Sequence, residues 1–117
     1  MGRDYKKWDI WNKGMEIVRK VYLLTKKFPK EEVYGLVSQM RRAAVSIPSN
    51  VAEGSGRNYD KEFKQFLYVS LGSSSELETQ ILLSKDLGLV NNDDIIDILD
   101  DLDHFKRMTS NFIKNLE

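Results

Sequence analysis

Apolar side chains recur along this chain at the three- and four-residue spacings of an amphipathic helix, in four successive blocks, and no stretch alternates in the manner of a strand. In the first block, from about Asp4 to Lys27, Trp8, Trp11, Met15, Val18 and Tyr22 form one seam, widened by Ile10, Ile17, Val21 and Leu24. Asp4 stands where a cap belongs, and Lys26 and Lys27 stand where the helix dipole favours cations. Phe28-Pro29 ends the block, and Pro29 suits the first turn of the next helix. The second block, Pro29 to Glu53, repeats Val33, Val37, Met40, Ala44, Ile47 and Val51. The third, capped at Asn58 or Asp60 and closing at Gly88, carries Phe63, Leu67, Ser70, Ser74, Leu77, Ile81 and Ser84. The fourth, capped at Asn91 or Asn92 with Asp93 and Asp94 on its positive end, carries Ile95, Ile98, Leu99, Leu102, Phe105, Thr109, Phe112 and Leu116. Connections this short join antiparallel neighbours. The pattern therefore predicts an all-α fold, an up-down antiparallel four-helix bundle filling residues 1–117 as a single domain. Its helices would be about 35–40 Å long.

The middle of the chain carries two departures from an ordinary amphipathic pattern. A proline inside a helix costs about 3 kcal/mol through a lost hydrogen bond and a clash with the preceding turn. Yet the apolar period passes through Pro48 without slipping. This predicts a second helix that is continuous but kinked at Pro48, where the ring nitrogen cannot donate to the Ala44 carbonyl. Gly54-Ser55-Gly56 is then expected to supply a left-handed stop. In the third block, Gly72-Ser73-Ser74-Ser75 leaves half of the seam small, so another helix can approach closely, with Ala43 and Ala44 as the natural counterpart.

Composition narrows the class. At 117 residues, 41% hydrophobic and 31% charged, the chain can bury a core without staples. Cysteine is absent, which excludes disulfides and zinc-thiolate sites. The opening residues lack the apolar segment of a signal peptide and the hydroxyl residue that myristoylation requires. No run approaches the roughly 18 apolar residues of a membrane span. The expectation is a cytoplasmic protein with no membrane partner. The net charge is zero but unevenly spread: residues 1–28 carry eight basic and three acidic side chains, residues 91–117 three basic and seven acidic. Two readings follow. The basic front and acidic back attract each other, within the fold or between subunits, or the front helix offers a surface to nucleic acid.

Candidate chemistry is sparse. His104 is the lone histidine and sits on an acidic helix beside Asp101 and Asp103, where a surface role is expected. Asp93, Asp94, Asp97, Asp100, Asp101 and Asp103 fall mostly on the outer face of one helix, without the Glu-x-x-His partner of a di-iron bundle, so no metal is expected. Gly54-Ser55-Gly56 lacks the Lys-Ser/Thr that completes a phosphate loop, and Ser73-Ser74-Ser75 has no base in register. No enzyme, no cofactor and no small-molecule substrate is expected. Tyr5, Trp8 and Trp11 among Arg3, Lys6, Lys7 and Lys13 could stack on bases or belong to the core. Arg42, Ser46, Asn50 and Glu53 form a polar stripe along the second helix. Arg41 and Arg42 could pair with Glu76 or Glu78 on the third helix, fixing register, or the stripe could contact a ligand or RNA.

The run Arg41-Arg42-Ala43-Ala44-Val45-Ser46-Ile47-Pro48-Ser49-Asn50-Val51-Ala52-Glu53-Gly54 is unusual in any helix. Together with Glu62-Phe63, Phe66-Leu67, Gly72-Ser73, Glu76-Leu77-Glu78-Thr79 and the opening Tyr5-x-x-Trp8, it resembles the bacterial four-helix-bundle family named for the 23S ribosomal RNA intervening sequence. The resemblance spans nearly the whole chain. It implies a ring-like homopentamer without established enzymatic activity, and a structural or interface role for Arg41, Arg42, Ser46, Pro48, Asn50, Glu53, Gly54, Glu76 and Glu78. A related branch, the accessory proteins of diversity-generating retroelements, binds nucleic acid and a reverse transcriptase but is strongly basic, unlike this chain with its pI near 6.6. Two expectations follow. One is an oligomeric scaffold engaging RNA or an RNA-bound protein through Lys6, Lys7, Lys13, Arg19 and Lys20. The other is a protein-interaction module whose basic first helix docks on the acidic fourth helix of a neighbour.

Overall fold

The computed structural model describes residues 4–116. Four helices, α1 (Asp9–Thr25), α2 (Ser38–Ser55), α3 (Asp60–Asp86) and α4 (Asn92–Lys114), form an elongated bundle measuring 46 × 24 × 20 Å. Helix α1 packs on α2 and α4, and α3 packs on α2 and α4, so α2 and α4 lie across the diagonal and face opposite sides.

The inward faces follow the apolar period with one correction. On α1 the buried residues are Ile10, Gly14, Ile17, Val21 and Leu24, spaced 4, 3, 4 and 3. The seam expected of Trp8, Trp11, Met15, Val18 and Tyr22 instead lies on the flank, half-buried or exposed. The missing link was Gly14, whose lack of a side chain hides it from a hydrophobic count. On α2, Met40, Ala44, Ile47 and Val51 are fully buried, and on α3 every seam residue from Phe63 to Ser84 is. On α4, Ile95, Ile98, Leu102, Phe105 and Thr109 point inward as expected.

Boundaries depart more. Asp4 precedes only a short 3-10 turn (Tyr5–Lys7) and makes no side-chain cap; α1 starts after Trp8. The second block is not helical from Pro29. A 3-10 turn (Lys30–Glu32) runs into a wide π turn (Val33–Val37) broken at Gly35 (φ −111°, ψ −106°), and regular helix begins only at Ser38. Val33 is consequently exposed. Helix α2 then continues through Pro48 to Ser55. Tyr59, not Asn58 or Asp60, occupies the N-cap position of α3 and makes no side-chain cap bond there, whereas Asn91 caps α4 through a reciprocal box with Asp94, at 3.1 and 3.0 Å.

Gly54-Ser55-Gly56 is not a left-handed stop. Gly56 has φ −85°, and the left-handed glycine among the described residues is Gly88 (φ 78°), where Leu89 donates to the Ser84 carbonyl and Gly88 to that of Lys85. Gly54 has another task. A Cβ there would lie 2.8 Å from Phe63 Cδ1 and 2.8 Å from Phe66 Cβ, so the glycine lets α2 and α3 converge at their joint.

Gly54→Ala should therefore destabilise by about 1–3 kcal/mol despite alanine's better helix propensity. Gly72→Ala is the contrast. It is exposed in the middle of α3, where a Cβ would meet nothing within 4 Å among the described residues, so it should stabilise by about 0.5–1 kcal/mol. Urea unfolding of both variants checks the signs.

Candidate functional site

The polar residues of the second helix divide between inside and outside. Ser70 Oγ, reaching across from α3, donates to the Ile47 carbonyl at 2.8 Å, and Ser73 Oγ donates to Ser46 Oγ at 2.8 Å. Asn50 Nδ2 donates to both the Ser46 carbonyl (2.9 Å) and Ser46 Oγ (2.8 Å). These bonds gather on the turn that ends at Pro48, where the helix lacks one backbone donor. Pro48 itself is buried against α1: a Cβ on Gly14 would stand 3.2 Å from Pro48 Cβ. Ser46, Pro48 and Gly54 are thus where α2 meets its neighbours closely, while Asn50 bonds within its own helix.

The arginines point elsewhere than expected. Arg41 Nε donates to Thr25 Oγ1 on α1 at 2.9 Å, and its guanidinium lies 4.3 Å from the centre of the Tyr22 ring. Thr25 Oγ1 in turn donates to the Val21 carbonyl at 2.8 Å. Among the described residues no ion pair joins Arg41 or Arg42 to Glu76 or Glu78. Glu78 pairs with Lys106 of α4, and Glu76 accepts from Gln80, while Arg42 and Glu76 only border the same shallow recess. Glu53 pairs with Arg57 at 3.2 Å.

Along α2 these side chains line an open groove of about 730 Å³. Its walls combine Tyr22, Val33, Tyr34 and Val45 with Arg41, Arg42, Ser49 and Asn50, and Glu53 closes one end. Tyr34, on the π turn, is 96% exposed. Thr25 and Tyr34 were not singled out by the sequence, and Tyr22 was read only as part of the first apolar seam. For Thr25 the signal was its place one residue past Leu24 on the buried face, whereas Tyr34 became visible only once the chain was seen to leave the helix at Gly35.

Two cations of the basic front helix, Lys13 and Lys20, are engaged within the fold. Lys20 Nζ lies 2.6 Å from Asp101 Oδ2, 2.6 Å from Asp97 Oδ2 and 3.2 Å from Glu16 Oε2. Lys13 Nζ lies 3.0 Å from Glu16 Oε1 and 3.4 Å from Asp101 Oδ1. Asp101 is buried, a correction to its expected place on the outer acidic face, although its spacing from Ile98 and Phe105 is that of the inward stripe. Lys6, Lys7 and Arg19 remain exposed, with Lys7 4.0 Å from Asp4. The aromatic opening also turns inward. Trp8 stacks on Phe63 (5.7 Å) and tilts against Phe112 (5.0 Å), while Tyr5 meets Trp11 edge-on at 5.5 Å. Arg3 lies outside the described residues. His104 is exposed on α4.

The network shifts its own titration. The hydrogen bond to Asp101, then that to Asp97, raises the Lys20 pKa well above 10.5. The hydrogen bond to Glu16 raises that of Lys13, and the bonds from Lys13 and Lys20 hold Glu16 below the ordinary carboxylate value of 4.5. A raised lysine stabilises the fold fully below 10.5 and loses that contribution as pH climbs toward its folded-state pKa. A lowered glutamate stabilises above 4.5 and loses it as pH falls. Asp101→Asn should cost about 2 kcal/mol at neutral pH and flatten the alkaline loss of stability, because it removes the main bond that raises Lys20. Urea midpoints measured at neutral pH and above 10.5 check both.

Comparison with known proteins adds the context. Curated protein sequences give no match. Among solved structures, a protein of unknown function from the S23 ribosomal protein family of Bacteroides thetaiotaomicron is similar in fold, with a TM-score of 0.81 at 20% identity over 91% of this chain and 99% of that one. The family model described as 23S rRNA-intervening sequence protein matches residues 6–111. That match takes in all four helices but for the last residues of α4, and with them the Arg41–Gly54 run, and the chain belongs to the 23S rRNA-intervening sequence protein family.

Proposed function

We propose that this protein is a non-enzymatic scaffold that assembles with copies of itself, a pentameric ring by the resemblance, and that the groove along α2 is its recognition face. The groove carries the reading. It brings two exposed tyrosines and two valines together with two arginines that no carboxylate of the described residues neutralises. Aromatic and arginine side chains are the types that dominate protein interfaces. The polar groups that a catalytic reading would need, Ser46, Ser70, Ser73 and Asn50, are instead bonded to one another and to the backbone. Sedimentation velocity across a dilution series tests the reading. The expected result is a species several times the 13.6 kDa chain mass that dissociates on dilution; a monomer at every soluble concentration would overturn it.

A second reading adds RNA. Its support is the family description, which names a 23S rRNA insertion, and the exposure of Lys6, Lys7 and Arg19 once Lys13 and Lys20 are engaged. Fluorescence anisotropy with a structured rRNA fragment, at low and near-physiological salt, separates the two. If RNA is bound, log affinity falls with log salt by about 0.7–0.9 per phosphate contacted, and reversing Lys6, Lys7 and Arg19 weakens it at both salts. Absence of binding at either salt leaves a protein-interaction module without direct nucleic-acid contact.

A further inference from the structure

Resting on the scaffold reading, we propose that the α2 groove takes the acidic outer face of α4 from a second copy of this chain, with Ile96 as its apolar anchor and Asp93 and Asp100 meeting the two arginines. On α4, Ile96 is 61% exposed, an anomaly on an otherwise acidic face. Asp93 lies three residues before it and Asp100 four after, so all three share one side of the helix, spread over about 10 Å. The neighbouring carboxylates are occupied: Asp94 in the capping box, Asp97 and Asp101 by Lys20, Asp103 by Arg107. Among the described residues, Asp93 and Asp100 have no ion-pair partner.

The groove is the complement. Val33, Tyr34 and Val45 provide an apolar wall beside Arg41 and Arg42. Arg41 is already oriented, its Nε on Thr25 and its plane against Tyr22, which leaves its terminal nitrogens for an incoming carboxylate. The two faces cannot meet within one chain, because α2 and α4 are diagonal and point apart. They can meet only between copies, head to tail, in a contact that closes into a ring or continues as a filament. The charge docking is thus placed on α2, whose arginines have no ion-pair partner among the described residues, and not on the basic first helix.

The test uses the full chain and reads mass by sedimentation. Arg42 and Asp100 are exposed, so at dilutions where the parent is dissociated Arg42→Asp and Asp100→Arg should leave the thermal unfolding curve near that of the parent. Each alone should weaken assembly by about tenfold or more, and Ile96→Ser likewise. The double variant Arg42→Asp/Asp100→Arg, with the charges exchanged, should assemble again. A parent that assembles while the single variants assemble equally well overturns the docking and leaves the scaffold standing. Loss in the single variants without recovery in the exchange also overturns it, because the two residues then do not face each other. A parent that never assembles removes both.

Discussion

The arrangement depends on one place, the turn of α2 that ends at Pro48. Ser70 and Ser73 of α3 set their hydroxyls on the Ile47 carbonyl and on Ser46, and Gly14 of α1 lies against Pro48 from another side. A buried hydroxyl without a partner costs on the order of 1–3 kcal/mol, so these serines resist any slide that would strand them. The missing side chain of Gly14 lets α1 close on the ring of the proline. Once α2 is held in this rotation, Met40, Ala44, Ile47 and Val51 must face the core, and Arg42, Val45 and Ser49 must face out. A shift of one residue would turn the helix by about 100° and bury an arginine. The outer groove is thus a consequence of the inner register.

Charge acts at a different seam, between the neighbouring helices α1 and α4. Lys13 and Lys20 belong to the basic front of the chain, and Asp97 and Asp101 to the acidic back, and the fold brings these four together. Their clustering matters more than their number, since an isolated exposed pair contributes about 1 kcal/mol or less, whereas Asp101 is buried and bonded to two lysines. This pairing takes the central cations of α1 out of reach of an external anion and shifts the surface balance toward Arg41 and Arg42.

Much of this was legible in the sequence. The inward stripes of α3 and α4 followed from periodicity, and the serines of α3 marked a close approach that the structure makes through Ser70 and Ser73 at Ile47 and Ser46, although Gly72 and Ser75 of the expected small run face outward. The seam of α1 was misplaced because Trp and Met outweigh a glycine in any hydrophobic count, yet it was the glycine that met another helix. The early start given to α2 failed at Gly35, where the backbone leaves the helical region although Val33 and Val37 keep its period. A dipeptide pattern records spacing; it cannot record a π turn. The partners of Arg41 were equally hidden, because Thr25 and Tyr22 meet it only after α1 and α2 pack.

The cost of leaving Arg41 half-buried without a counter-ion bears on why the groove exists. A guanidinium partly removed from water loses hydration that only hydrogen bonds or an aromatic face can replace. Thr25 and Tyr22 supply one of each, which holds the group in place without neutralising it. Elsewhere the chain does neutralise cations that approach its core, as Lys20 shows with three carboxylates. Among the described residues, however, no carboxylate pairs with Arg41 or Arg42, although Glu53 and Glu76 border the same recesses. A bundle selected for stability alone would gain by adding one there. On the scaffold proposal, keeping the pair oriented and open favours a carboxylate brought by a second copy, which would supply the charge that Arg41 and Arg42 lack.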